Sequence, residues 1–163
     1  MSNRLLVGTR KGLFRIDRDA NGRWGIGDAW FLGDPVSIVL PASGGERLLA
    51  AQDLGHFGVK MQRSDDAGAT WTEAPVPAFP PKPDGLEDIE PMRGVDLPWS
   101  TQLIWSLEAG GPGELWCGVI PGGLFHSTDD GARWTLVRSL WDDPRRRKWM
   151  GGGYDFAGIH SIL

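Results

Sequence analysis

Hydrophobic residues fall in short runs, many of them β-branched or aromatic, separated at regular spacing by clusters of glycine, proline and aspartate. This is the pattern of successive β-strands joined by turns. The first part of the chain reads RLLVGTR, GLFRIDRD and RWGIGDAW. The middle part reads VSIVLPA, ERLLAAQD, GVKMQRSDD and TWTEAP, and the third reads QLIWSLEAG, ELWCGVI, GLFHSTDD and RWTLVRSL. No segment sustains a 3.6-residue apolar period, so little helix is expected.

In that order the chain is a repeat. The middle and third parts each hold four strands, and in both the third strand passes to the fourth through the same small turn. RSDDAGATWTE (63–73) returns as HSTDDGARWTL (126–136), so that Ser64, Asp66, Gly68 and Trp71 match Ser127, Asp129, Gly131 and Trp134. The first part holds three strands and a worn turn, IDRDANGRW, in which Asp17 and Asp19 stand at the serine and aspartate positions relative to Trp24. Asn21 occupies the glycine position, and asparagine tolerates the left-handed backbone that such a turn asks for. Four-stranded antiparallel units repeated along a chain are the signature of a β-propeller, in which each sheet needs a neighbour to bury its faces. Tryptophans at the turns supply apolar area for that packing.

The motif S-x-D-x-G-x-x-W resembles the Asp-box, or bacterial neuraminidase (BNR) repeat, with Thr70 matching the common threonine before the tryptophan. The families that share it include sialidases, xyloglucan-cleaving glucanases, sortilin-type receptors and photosystem II assembly factors. VGTRKGLF and PGGLFHSTDDGARW are most similar to bacterial BNR-like propellers labelled sialidase-related or glycosyl hydrolase. The resemblance implies a turn at the outer edge of a blade, on the face away from any active site. The physics agrees: an aspartate accepting backbone N–H groups, a serine hydroxyl and a glycine at positive φ close a tight hairpin. Ser64, Asp66, Gly68, Trp71, Ser127, Asp129, Gly131 and Trp134 are therefore assigned to structure. Blade one is expected at about 1–34 without its first strand, blade two at 35–80, blade three at 98–141, and the start of a fourth at 158–163. Three blades do not close a ring of four to eight. The expected fold is thus an all-β, incomplete propeller, completed by self-association or by a further C-terminal half.

Composition narrows the rest. Across 163 residues, 24 glycines and 12 prolines keep turns dense, and nine tryptophans against one tyrosine point to a repeated packing role. No apolar run approaches the roughly 18 residues a membrane span needs, and MSNRLLVGTRKG has no secretory pattern. A lone cysteine, Cys117, fits a reducing compartment. A cytoplasmic protein is expected. The net charge of −4 argues against a nucleic-acid partner. The one basic run, Arg145-Arg146-Arg147-Lys148, follows Asp142-Asp143-Pro144 and reads as a solvated loop. His56, His126 and His160 have no ligand spacing, so no metal and no cofactor are expected.

Candidate chemistry falls on the loops opposite the repeated turns, above all 75–100 and 141–161. Long loops on a rigid scaffold are where function concentrates. They carry Glu87, Glu90, Arg93, Asp96, Trp99, Trp149, Tyr154, Asp155 and His160, and shorter loops add Arg10, Lys11, Asp53 and His56. Asp96, Asp155, His160 and Tyr154 are the catalytic candidates; Arg93, Trp99, Trp149 and His56 are the ligand-binding ones. Against each stands a structural role: an Arg93–Asp96 salt bridge, blade packing by Trp99 and Trp149, an exposed turn at His56, a hydrogen-bonded His160. Phe14-Arg15-Ile16-Asp17 resembles the sialidase Phe-Arg-Ile-Pro motif but lacks its proline and lies inside a strand, so it reads as coincidence. Tyr154 has no evident glutamate partner for a sialidase nucleophile, and nothing in the sequence places two carboxylates at the ~5–9 Å that glycoside hydrolysis requires. The leading expectation is a scaffold binding a carbohydrate or small polar ligand. A glycoside hydrolase and a protein-interaction propeller are the alternatives.

Overall fold

The computed structural model describes residues 3–163. The fold is all-β: three antiparallel sheets of three, four and four strands, each in meander order. Helix among the described residues is limited to one four-residue α-helix and three 3-10 turns. The chain divides into two compact units, one ending at Glu73 and the other running Ala74–Leu163.

The first unit carries β1 (Arg4–Thr9), β2 (Gly12–Arg18) and β3 (Trp24–Trp30), then β4 (Val36–Ala42), β5 (Arg47–Asp53), β6 (Val59–Ser64) and β7 (Thr72–Ala74). Leu13, Val36 and Ala50 form one buried cluster of this unit, with Leu6, Trp30, Phe31, Val39 and Trp71 packed around them. Strand alternation sends the other set of β1–β3 side chains to the opposite face. Leu5, Ile16 and Ile26 stand in one cross-strand row there, and Ile26 is 70% exposed. Arg15 is held by Asp17 at 2.7 Å and Asp28 at 2.6 Å, a charge cluster within this sheet.

The repeated turn is built alike in both copies. Ser64 Oγ accepts the Gly68 N–H at 2.8 Å and donates to Asp66 Oδ1 at 2.8 Å. Ser127 Oγ does the same with Gly131 and Asp129, both at 2.9 Å. Asp66 Oδ1 accepts the Thr70 N–H at 2.8 Å, as Asp129 Oδ1 accepts that of Arg133 at 2.8 Å. Left-handed pairs, Ala67–Gly68 and Asp130–Gly131, turn the chain. Each tip bonds to the hairpin between the blade's first two strands, Ala67 N–H to the Glu46 carbonyl and Asp130 N–H to that of Gly113. In the worn copy Asp19 keeps its role, accepting the Asn21 and Arg23 N–H groups at 2.8 Å. The expected left-handed Asn21 is replaced by Gly22 at φ 81. The glycine has no Cβ to penalise that conformation, so the turn shifts by one residue to use it.

Serine to alanine at 127 removes the acceptor of a buried N–H. The expected cost is about 1–3 kcal/mol, read from the urea midpoint at unchanged slope. Hydrogen bonds from Thr70 N–H, the Thr70 hydroxyl and the Ser64 hydroxyl hold the Asp66 carboxyl below its ordinary range. The Arg133 side chain and N–H and the Ser127 hydroxyl do so for Asp129. A carboxyl lowered in the folded state stabilises fully above its unfolded value, near pH 4, and that stabilisation fades as pH falls through the lowered value. Both turns should therefore loosen only below about pH 4, as a loss of near-UV ellipticity in acid.

The second unit carries β8 (Leu103–Ala109), β9 (Leu115–Ile120), β10 (Leu124–Ser127), β11 (Thr135–Leu136) and α1 (Arg138–Trp141). One face of its sheet buries Leu107, Leu115, Cys117, Val119 and Phe125. Phe79, from the loop before β8, closes that core edge-on to Phe125 at 5.1 Å and tilted on Trp141 at 4.7 Å. Burial pushes the Cys117 thiol far up. It should resist thiol reagents in the native protein and react fully in denaturant, a difference read by mass spectrometry.

Candidate functional site: an aromatic cleft in the second unit

Two long loops, 75–102 and 137–163, frame the second sheet, and the first folds back on itself. Asp88 and Glu90 bond through their backbones with Leu97 and Val95 across a tight turn. Glu90 is buried and accepts the N–H groups of Met92 at 3.0 Å and Arg93 at 2.6 Å, so it fastens the turn from within.

Asp88, 1% exposed, is the joint between the loops. It accepts the Trp99 indole N–H at 3.0 Å and Arg146 Nη2 at 2.8 Å. Arg146 also donates from Nε to the Trp141 carbonyl at 2.7 Å and lies over the Trp141 ring, 4.0 Å from its centroid. The basic run is thus not wholly solvated. It forms a 3-10 turn, Pro144–Lys148, capped by Asp143, which accepts the Arg145 N–H. That turn leaves Arg145 and Arg147 outside and carries Arg146 into the interior. Arg145 holds the Asp143 carboxyl down at about 2.

Beyond this joint, residues 149–160 form the wall of a solvent-open cavity of about 640 Å³, lined by Trp105, Trp149, Met150, Gly151–Gly153, Tyr154, Phe156 and His160. The wall is fixed to the sheet at several points. Trp149 packs over Gly122, where a Cβ would stand 3.2 Å from the ring. Ser106 Oγ donates to the Ile159 carbonyl at 2.8 Å, and the Ile159 N–H reaches the Val119 carbonyl at 3.3 Å. Tyr154 and His160 both stand steeply to the Trp105 indole, with centroids at 5.0 and 5.8 Å and planes at 61° and 64°.

The structure brings together four of the residues singled out from sequence: Trp149, Tyr154 and His160 line the cleft, and Asp155 follows Tyr154 along its wall. Asp155 pairs with Arg93, and Asp96 with Lys82, so the expected Arg93–Asp96 bridge gives way to two other pairs. Trp99 is half-buried, bonded to Asp88 and edge-on to Trp141 at 5.3 Å, a packing role. His56 belongs to the first unit, in the 3-10 turn Gly55–Phe57, beside the exposed Phe57 ring. Asp53 accepts the Gly55 N–H at 3.2 Å. His126 stacks on Trp116 and shares a 2.8 Å hydrogen bond with Glu114. No cluster of three or more metal-ligating side chains occurs among the described residues, and no described helix is long and apolar enough to cross a membrane.

Sequence reasoning missed Trp105, Phe156, Asp88 and Arg146. Trp105 lay inside a predicted strand, and Arg146 was averaged into a charge run. The Asp143-Pro144 step, an N-cap followed by proline at the first position of a helical turn, was the available signal that the run is helical and so has an inside.

No protein-family model matches the chain, and no curated protein matches it. Among solved structures it is similar to YCF48 from Cyanidioschyzon merolae, at TM-score 0.50 and 19% identity over 87% of this chain and 39% of that one. It is also similar to YCF48 bound to D1 peptide, at TM-score 0.48 and 17% identity over 82% of this chain and 37% of that one. The chain thus spans under two fifths of the length of either structure. Together with its three antiparallel sheets, the first of these likenesses shows the fold: an all-β chain of the β-propeller type, with about three blades.

Proposed function

We propose that this chain is a non-catalytic propeller scaffold that binds a segment of polypeptide in the aromatic cleft of its second unit. The observation that carries this reading is the lining. Indole, phenol, phenyl and thioether groups surround a run of three glycines whose bare backbone is accessible to an extended chain. Aromatic and methionine side chains are the residue types enriched in protein interfaces. No carboxylate lines the cleft; on the loops around it Asp96 pairs with Lys82 and Asp155 with Arg93, Asp88 is buried against Arg146, and Glu90 accepts backbone N–H groups.

A second reading, a sugar stacked on Trp105, is favoured by the same rings. Against it, the lining lacks the carboxylates and amides that would hold sugar hydroxyls in place. Calorimetry with short mixed-sequence peptides and with oligosaccharides separates the two. The expected result is saturable peptide binding, weakened about tenfold or more by Trp105→Leu, since a well-packed aromatic anchor is worth 2 kcal/mol or more. Sugar binding that weakens with Trp105→Leu while peptides leave the protein silent would overturn the proposal.

A further inference from the structure

We infer that the cleft takes a proline-rich segment of its partner polypeptide, an extended stretch whose carbonyls accept the indole N–H groups of Trp105 and Trp149. The inference rests on the peptide reading above and specifies which peptides fit. Both tryptophans line the cavity. Elsewhere in this unit Trp99 and Trp134 donate to protein oxygens, and the Trp141 N–H is enclosed. Those of Trp105 and Trp149 have no acceptor among the described residues and stay open to solvent. An indole N–H only donates, so each of these groups calls for a carbonyl or a similar oxygen.

The rest of the lining narrows the source of that oxygen. No Lys, Arg, Asp, Glu, Asn or Gln borders the cavity, so no carboxylate or side-chain amide is there to receive peptide N–H groups. An ordinary peptide brings one N–H per residue, and each that leaves water without a new acceptor costs affinity. Proline has no N–H, keeps its carbonyl and presents an apolar ring. Its polyproline II conformation exists before binding, and aromatic-lined grooves are surfaces on which it docks. One turn, three residues over roughly 9 Å, fits within the cavity of about 640 Å³.

The same unit holds such a segment of its own chain in this way. PVPAFPPKP (75–83) forms neither helix nor strand. Its Pro75 carbonyl accepts the Trp134 indole N–H at 3.0 Å, and the Thr101 hydroxyl donates to its Pro77 carbonyl. Its apolar side, Phe79, packs on the Phe125 and Trp141 rings. Indole donors and aromatic rings thus already hold a proline-rich stretch here.

The test compares capped Pro-Pro-Leu-Pro-Pro with capped Ala-Ala-Leu-Ala-Ala, which restores the N–H groups. Binding is followed by the indole N–H signals of Trp105 and Trp149 in 1H–15N spectra of the whole chain. The proline peptide is expected to bind about tenfold more tightly, the worth of one or two N–H groups left unpaired, and to move both indole protons downfield. Trp105→Phe and Trp149→Phe keep a ring and remove a donor, and each should weaken the proline peptide about three- to tenfold. Amide spectra show whether each variant keeps its fold, and the comparison in the unaltered chain stands by itself. Equal or weaker binding of the proline peptide, or proline binding unchanged in both folded variants, overturns the proline inference while leaving the peptide reading in place. Failure of these two peptides and of mixed-sequence peptides to move either indole overturns both.

Discussion

Asp88→Ala should be among the most destabilising single substitutions in this protein, at about 3–5 kcal/mol. Asp88 and Arg146 are 1% and 8% exposed, and removing the carboxylate leaves a guanidinium in the interior with one carbonyl and one ring for company. The penalty comes mainly from the orphaned charge, since a buried pair as a whole contributes little net stability. That distinction has a measurable consequence. Arg146→Met keeps an apolar stem over Trp141 and should itself be costly, because Asp88 then keeps only the Trp99 indole N–H. The double variant Asp88→Ala with Arg146→Met should cost clearly less than the sum of the singles, because neither charge is stranded. Urea unfolding followed by tryptophan fluorescence gives all three values. Additive costs would show that the two residues act independently. The single variants should also blunt ligand binding, because this joint ties the 88–97 turn to the segment leading into the cleft wall.

Gly68→Ala should cost about 3 kcal/mol, against about 1–2 kcal/mol for Gly131→Ala, although the two glycines hold the same place in the repeated turn. Both have positive φ, 94 and 83, so both pay the left-handed penalty of an added Cβ. They differ in what that Cβ meets. At Gly131 it stands 3.3 Å from the Leu115 side chain and 3.4 Å from the Trp134 ring, which neighbours can absorb by small movements. At Gly68 it would overlap the Trp30 indole, wedged between that turn and Trp71 at a ring separation of 5.8 Å. Overpacking a site of that kind costs a further ~1–3 kcal/mol. Equal costs at the two positions would mean that backbone conformation alone decides, and that Trp30 yields freely.

The strands were legible because each is a short apolar run between turn residues, and the repeated turn fixed their register. Ser64 and Ser127, read as structural, make the same hydrogen bonds in both copies to within 0.1 Å. The site was less legible, for two physical reasons. Trp105 belongs to a strand whose pattern explains it fully, so nothing along the chain marks the ring as half-exposed beside Tyr154 and His160. Asp88 and Arg146 lie in irregular loops, where burial depends on which way a short turn rolls, and charge composition does not carry that information. Arg93 and Asp96 are close in sequence and the obvious pair, yet the turn fastened by Glu90 directs them to Asp155 and Lys82.

The central claim is that the aromatic cleft binds polypeptide without catalysis. Titrating the 15N-labelled chain with short peptides and, separately, with a panel of glycosides tests it directly. The expected result is saturable movement of the Trp105 and Trp149 indole signals with peptides, no movement with glycosides, and no released sugar. Glycoside cleavage that is lost in Asp155→Asn, or indole shifts caused by glycosides alone, would contradict it.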